Sequence, residues 1–151
     1  MQVRNPDYRE RLQHIVQGAG FIRLLGLELC DAGPGWCETR LPLDPRHRQQ
    51  DGYTHAGVQA TMADHTAGCA AFTLVAAEQI VLSVEFKINL LRPAMGDVLA
   101  CRSEVLRGGR NLIVAESWIR AGEAADLCAK ATVTLAVVAD PAGGHDQRAS
   151  P

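Results

Sequence analysis

The sequence lacks a charge of one sign: 15 Lys and Arg stand against 17 Asp and Glu, a formal net charge of −2. That balance supplies no broad attraction for nucleic acid or anionic lipid, so neither is expected as a partner. Long hydrophobic runs are missing as well. No stretch of about 18 apolar residues could span a bilayer, and the opening Met1-Gln2-Val3-Arg4-Asn5-Pro6 lacks the basic-then-apolar order of a signal peptide. A cytoplasmic location is the expectation. The five cysteines, Cys30, Cys37, Cys69, Cys101 and Cys128, are odd in number and form no C-x-x-C pair, which argues against a disulfide framework and a zinc site. They read as small core residues, with Cys30 and Cys37 flanking a hairpin where they could face each other. No histidine or cysteine cluster has ligand spacing, so no metal is required. Linkers and internal repeats are absent too, which suits a single domain over 1–140, and the polar segment 141–151 reads as a disordered tail.

What is present is a clear order of elements. Tyr8, Leu12, Ile15 and Val16 recur at helical spacing after Pro6, which predicts a short amphipathic helix ended by Gly18 and Gly20. Two apolar runs, from about Gly26 to Asp31 and from Trp36 to Leu43, are punctuated by Gly33-Pro34-Gly35 and predict a β-hairpin. From His55 to about Ala77 there is no proline and alanine is dense, as in a long helix built for close packing. Gln79 to Leu91 then alternates, with Leu82, Val84, Phe86, Ile88 and Leu90 on one face, and predicts a half-buried strand. Strands at 98–107 and 110–120 are expected to join through a tight turn at Gly108-Gly109, and a last strand runs from Asp126 to Val138. Helix, hairpin, long helix and antiparallel meander without βαβ alternation make an α+β architecture, a curved antiparallel sheet around a long central helix.

One set of residues resembles a known family. His55-Ala56-Gly57-Val58, Asp64 nine residues after the histidine, the run Ser83-Val84-Glu85-Phe86-Lys87-Ile88-Asn89-Leu90-Leu91-Arg92-Pro93-Ala94, and Gly96-Asp97 together resemble the PaaI-like hotdog-fold acyl-CoA thioesterases. The resemblance implies a hotdog fold, a homodimer whose sheets join edge to edge, a possible dimer of dimers, and hydrolysis of an acyl-CoA. It also implies that Asp64 acts as base or nucleophile and that His55-Ala56-Gly57 supplies a backbone N–H to the thioester oxygen. Coenzyme A is then part of the substrate, and no separate cofactor is needed. Gln49 takes the polar position six residues before His55, with Gln50 as the alternative, and Ser83 matches a Ser or Thr that orients the attacking water. Ala56 replaces the family's usual first glycine, which is harmless only if the position needs no positive φ.

The residues themselves fit that chemistry. Thioester hydrolysis needs a base or nucleophile, donors for the oxyanion and a water-excluding pocket. The free amides at a helix start around Ala56-Gly57-Val58 suit an oxyanion. Nine residues at about 100° and 1.5 Å each, however, turn Asp64 half a turn from His55 and carry it about 13 Å along the helix. A two-fold pairing that brings Asp64 of one subunit to the amides of the other removes the conflict. His65 would point away from Asp64 and reads as structural. Arg92, Arg107 and Arg110 are candidates for the nucleotide phosphates, with Arg46 and Arg48 as further ones. Aryl and medium-chain acyl groups are both admissible. The rival readings are a hotdog hydratase or dehydratase and a non-catalytic acyl-CoA-binding module.

Overall fold

A computed structural model describes residues 1–122 and 126–141. The tail expected to be disordered falls almost wholly outside the described residues. Helix α1 (Tyr8–Gly18) turns Tyr8, Leu12 and Val16 into the core. Its start is tied by Asn5, whose Oδ1 accepts from the Asp7 N–H at 3.1 Å. A second helix, α2 (Gly20–Leu25), follows after one residue and was not legible from the glycine pair. Gly26, at φ 79°, ends it in the left-handed conformation that glycine adopts without a Cβ clash.

The strands are β1 (Glu28–Gly33), β2 (Trp36–Pro42), β3 (Gln79–Leu90), β4 (Val98–Gly108), β5 (Leu112–Ala121) and β6 (Asp126–Ala139). They form one antiparallel sheet in the order β1-β2-β4-β5-β6-β3. Helix α3 (Ala56–Phe72) packs across β2 to β6. Its Met62, Ala63, Ala67, Ala70 and Ala71 are fully buried against Leu41, Leu99, Ile119, Ala129 and Val133. Alanine lets the helix backbone approach the sheet closely, and each large side chain it covers contributes roughly 1.5–3 kcal/mol. Buried hydroxyls in this seam are satisfied: Thr39 and Thr66 Oγ1 lie 2.7 Å apart, and Ser117 Oγ donates to Ala63 O at 2.8 Å.

Four local expectations differ from the structure. The central helix ends at Phe72, about five residues early, because Thr73 Oγ1 donates to Ala70 O while accepting from Gly35 N–H, which pins the chain to the β1–β2 turn. The β4–β5 turn centres on Arg110-Asn111, closed by Gly109 N–H to Leu112 O at 2.9 Å. Gly109 is needed there because a Cβ would meet Leu112 O at 2.5 Å. Cys30 is exposed and Cys37 buried opposite Ala32, so the two thiols do not face each other.

The fourth difference concerns β3. It lies at the sheet edge beside β6 rather than inside a meander, and Leu82, Val84 and Phe86 are 53%, 61% and 45% exposed. The sheet register shifts between Ser83 and Glu85. A bulge there changes which alternate residues face inward. Val81 and Ile88, seven residues apart and so on opposite faces of a regular strand, accordingly both pack against the core.

Candidate active site

Asp64 sits on the third turn of α3, half-buried, with its carboxylate turned to the edge strand. Ser83 Oγ donates to Asp64 Oδ1 at 2.7 Å. The two residues open a cavity of about 310 Å³ whose walls are largely apolar, including Leu12 and Ile15 of α1, Phe72, Val81 and Leu135. Ser83 points this way because its cross-strand partner is Leu135, and paired residues of an antiparallel ladder share a face. The bulge follows directly after it.

His65 lines the same cavity, contrary to the expectation that it turns away. Its Nε2 lies 3.6 Å from Cys69 Sγ. Burial lowers the pKa of this imidazole from its ordinary value, and the neighbouring Asp64 charge opposes the shift. A signal for it existed in the sequence: residues 64, 65, 68, 69 and 72 share one broad helix face.

The helix start forms a second place. His55 is the N-cap of α3, with φ −61° and ψ 138°. Its Nδ1 accepts from the Gly57 N–H at 2.9 Å, so that amide is already held within the chain. The Ala56 N–H has no partner among the described residues. Ala56 is the first residue of the right-handed helix, so its methyl meets none of the strain that a positive φ would bring. His47 fixes the preceding loop: its Nε2–H donates to Leu25 O at 2.8 Å and its Nδ1 accepts from Asp44 N–H at 3.0 Å. The His55 N–H in turn donates to His47 O.

His55, Ala56, Gln49, Gln50 and Arg92 line an open cavity of about 470 Å³, distinct from the one at Asp64. Gln49 Oε1 is engaged by the Asp51 N–H at 2.6 Å. Arg92 pairs with Asp126 at 3.4 Å on the surface. Arg107 and Arg110 stand at the β4–β5 hairpin and line neither cavity. Arg48 is held by two backbone carbonyls, Gly52 O and Gly96 O. One chain therefore brings together Asp64 with Ser83, and His55 with Ala56, Gln49 and Arg92, in two separate hollows. Eight residues of α3 separate Ala56 from Asp64, about 12 Å of helix. Among the described residues no group of three or more His, Cys, Asp or Glu side chains could hold a metal ion, and no helix is long and apolar enough to cross a membrane.

The family model of the thioesterase superfamily matches residues 51–128, the segment that carries the helix start, Asp64, β3 and the β4–β5 hairpin. The chain belongs to the thioesterase superfamily. This thioesterase is similar to a solved thioesterase family protein from Silicibacter pomeroyi, at 35% identity and a TM-score of 0.85 over 88% of this chain and 99% of that one. It is also similar to a solved thioesterase of Haemophilus influenzae, at 26% identity and a TM-score of 0.83 over 96% and 100% of the two chains. A 1,4-dihydroxy-2-naphthoyl-CoA hydrolase of Listeria monocytogenes is 25% identical over 97 residues, 64% of this chain and 79% of that one. The six-stranded antiparallel sheet with its packed helix is the hotdog fold of these proteins, and the thioesterase is a thioester hydrolase.

Proposed function

We propose that this thioesterase hydrolyses an aryl- or medium-chain acyl-CoA in the cytoplasm, as a homodimer joined through its β3 edges, with Asp64 as the catalytic carboxylate. The observation that carries the reading is the Ser83–Asp64 hydrogen bond at the mouth of an apolar cavity. A carboxylate so oriented takes a proton from water as the water oxygen adds to the thioester carbon, or itself adds to that carbon before water releases the acid. In either course the C–S bond breaks and the coenzyme A sulfur leaves with a proton, giving free acid and thiol.

The Ala56 N–H is the donor for the oxyanion, with His55 holding Gly57 and shaping the helix start. Because Asp64 and Ala56 of one chain open into different cavities, each site joins Asp64 and Ser83 of one subunit to Ala56 of its partner. The exposed apolar edge of β3 supports that pairing, and two such dimers could further assemble as a tetramer. Gln49 flanks the oxyanion side. Of Arg92, Arg107 and Arg110, Arg92 is the best situated for a coenzyme A phosphate, since it shares the cavity of Ala56. The Listeria relative, which acts on an aryl-CoA by its name, favours an aromatic acyl group. The test is release of free thiol from a panel of acyl-CoAs by the wild type and by Asp64→Asn. Turnover of none of them, or full activity in the variant, would overturn the reading.

A further inference from the structure

Two residues that line the Ala56 cavity carry buried polar atoms with no hydrogen-bond partner among the described residues: Thr54 Oγ1 and Gln59 Oε1. Thr54 is 4% exposed and Gln59 3% exposed. The Gln59 carboxamide is oriented by its Nε2, which donates to Thr54 O at 3.4 Å and so leaves Oε1 as the unmatched acceptor. Leaving such groups unpaired costs about 1–3 kcal/mol each, and natural folds seldom retain them without a use.

The pair consists of one acceptor and one hydroxyl that can donate. A secondary amide presents the complement, one N–H and one C=O. The position along α3 selects which amide. Gln59 lies three residues after Ala56, so the two share a helix face with Cβ atoms about 5–6 Å apart. In coenzyme A a two-carbon bridge separates the sulfur from the first amide nitrogen, a reach of the same order. A thioester whose oxygen meets an Ala56 N–H thus brings that amide over Thr54 and Gln59.

We propose that Thr54 and Gln59 form the subsite for the pantetheine amide nearest the sulfur of the acyl-CoA. The inference rests on the reading of Ala56 as the oxyanion donor. Neither residue touches the reacting atoms; both position the thiol side of the substrate. Engaging the ligand requires the buried Gln59 carboxamide oxygen to turn toward the cavity.

The test uses Thr54→Val and Gln59→Leu, which remove the unmatched atoms and keep the approximate volume. Three thioesters of one acid are compared: the CoA ester, the N-acetylcysteamine ester, which keeps only the first amide, and the S-ethyl ester, which has none. KM is expected to rise about tenfold for the first two with kcat little changed, and to stay constant for the S-ethyl ester. Melting temperature is expected to hold or rise for Thr54→Val, because an unpaired hydroxyl is lost, and a structural role for that hydroxyl would lower it; Gln59→Leu also loses the bond from Nε2 to Thr54 O, so for that variant only the dependence on the ester is diagnostic. A loss that is uniform over the three esters, a loss confined to kcat, or no change overturns the subsite. If the wild type hydrolyses none of them, it is the thioesterase site that fails, and calorimetry with pantetheine alone then decides the subsite. Binding weakened about tenfold in the variants supports it; equal binding, or none to the wild type, overturns it.

Discussion

Ser83 Oγ stands 2.7 Å from Asp64 Oδ1, which ties the edge strand of the sheet to the middle of its central helix. The bond fixes the plane of the carboxylate and, in the proposed mechanism, leaves its second oxygen for the chemistry. Removing the carboxylate charge by Asp64→Asn should lower kcat at least ~100-fold, whereas Ser83→Ala should cost roughly tenfold through lost orientation. Thiol release under saturating acyl-CoA measures both. Equal losses in the two variants would mean that Ser83 does more than orient.

Ala56→Pro removes the unpaired N–H at a position where proline is compatible with a helix start, because His55 is already extended. An activity loss of ~100-fold or more with an unchanged melting temperature is expected. Mixing this variant with Asp64→Asn tests the composite site. Random pairing gives one intact site in half of the dimers, so about a quarter of wild-type activity should return. No recovery after proven subunit exchange would place both groups in one chain.

The proposed pairing through β3 is open to a direct test. Val84 is 61% exposed on β3, and Val84→Asp puts a charge in the middle of the apolar edge. The variant should run at half the wild-type mass in light scattering and lose activity in parallel. A monomeric variant that keeps full activity would separate assembly from catalysis.

His65 gives a pH dependence with a definite sign. Its native pKa lies below the ordinary 6.5 through burial, so as pH falls through about 6.5 the unfolded chain binds a proton before the native one. The stability is fully present above that value and is lost as pH falls toward the lowered native pKa. Melting temperature followed between about pH 5 and 8 should decline less steeply on the acid side for His65→Gln than for the wild type. Parallel curves would sink this assignment.

Gly109→Ala should destabilise the β4–β5 turn, since the added Cβ would meet Leu112 O at 2.5 Å. A loss of about 1–3 kcal/mol is expected in denaturant unfolding, with kcat unaffected in the folded fraction.

Much of the plan was legible in local pattern. The alanine density of 56–72, the alternation of the strands and the punctuation by glycine and proline report backbone periodicity, which is a property of neighbouring residues. The early stop of α3 was not legible, because it depends on Thr73 reaching Gly35, distant in sequence. The turn at Arg110-Asn111 escaped for a related reason: the two glycines suit a turn, but strand register decided that Gly109 would be the residue closing it.

The sequence by itself determined the helix that carries Asp64, the spacing of that residue from His55 and the family to which those residues belong. These follow from helical periodicity and from residue identity. Only the tertiary structure decided that the Ser83 hydroxyl donates to the Asp64 carboxylate itself, that β3 takes the sheet edge, and that the Gly57 amide is occupied while the Ala56 amide is open. Those outcomes depend on strand order, on a one-residue shift of register and on a side chain folding back over its own helix. The strand order and the register are set by packing between segments far apart in the chain, which no local pattern encodes, whereas the Gly57 contact is local and turns on which rotamer His55 adopts.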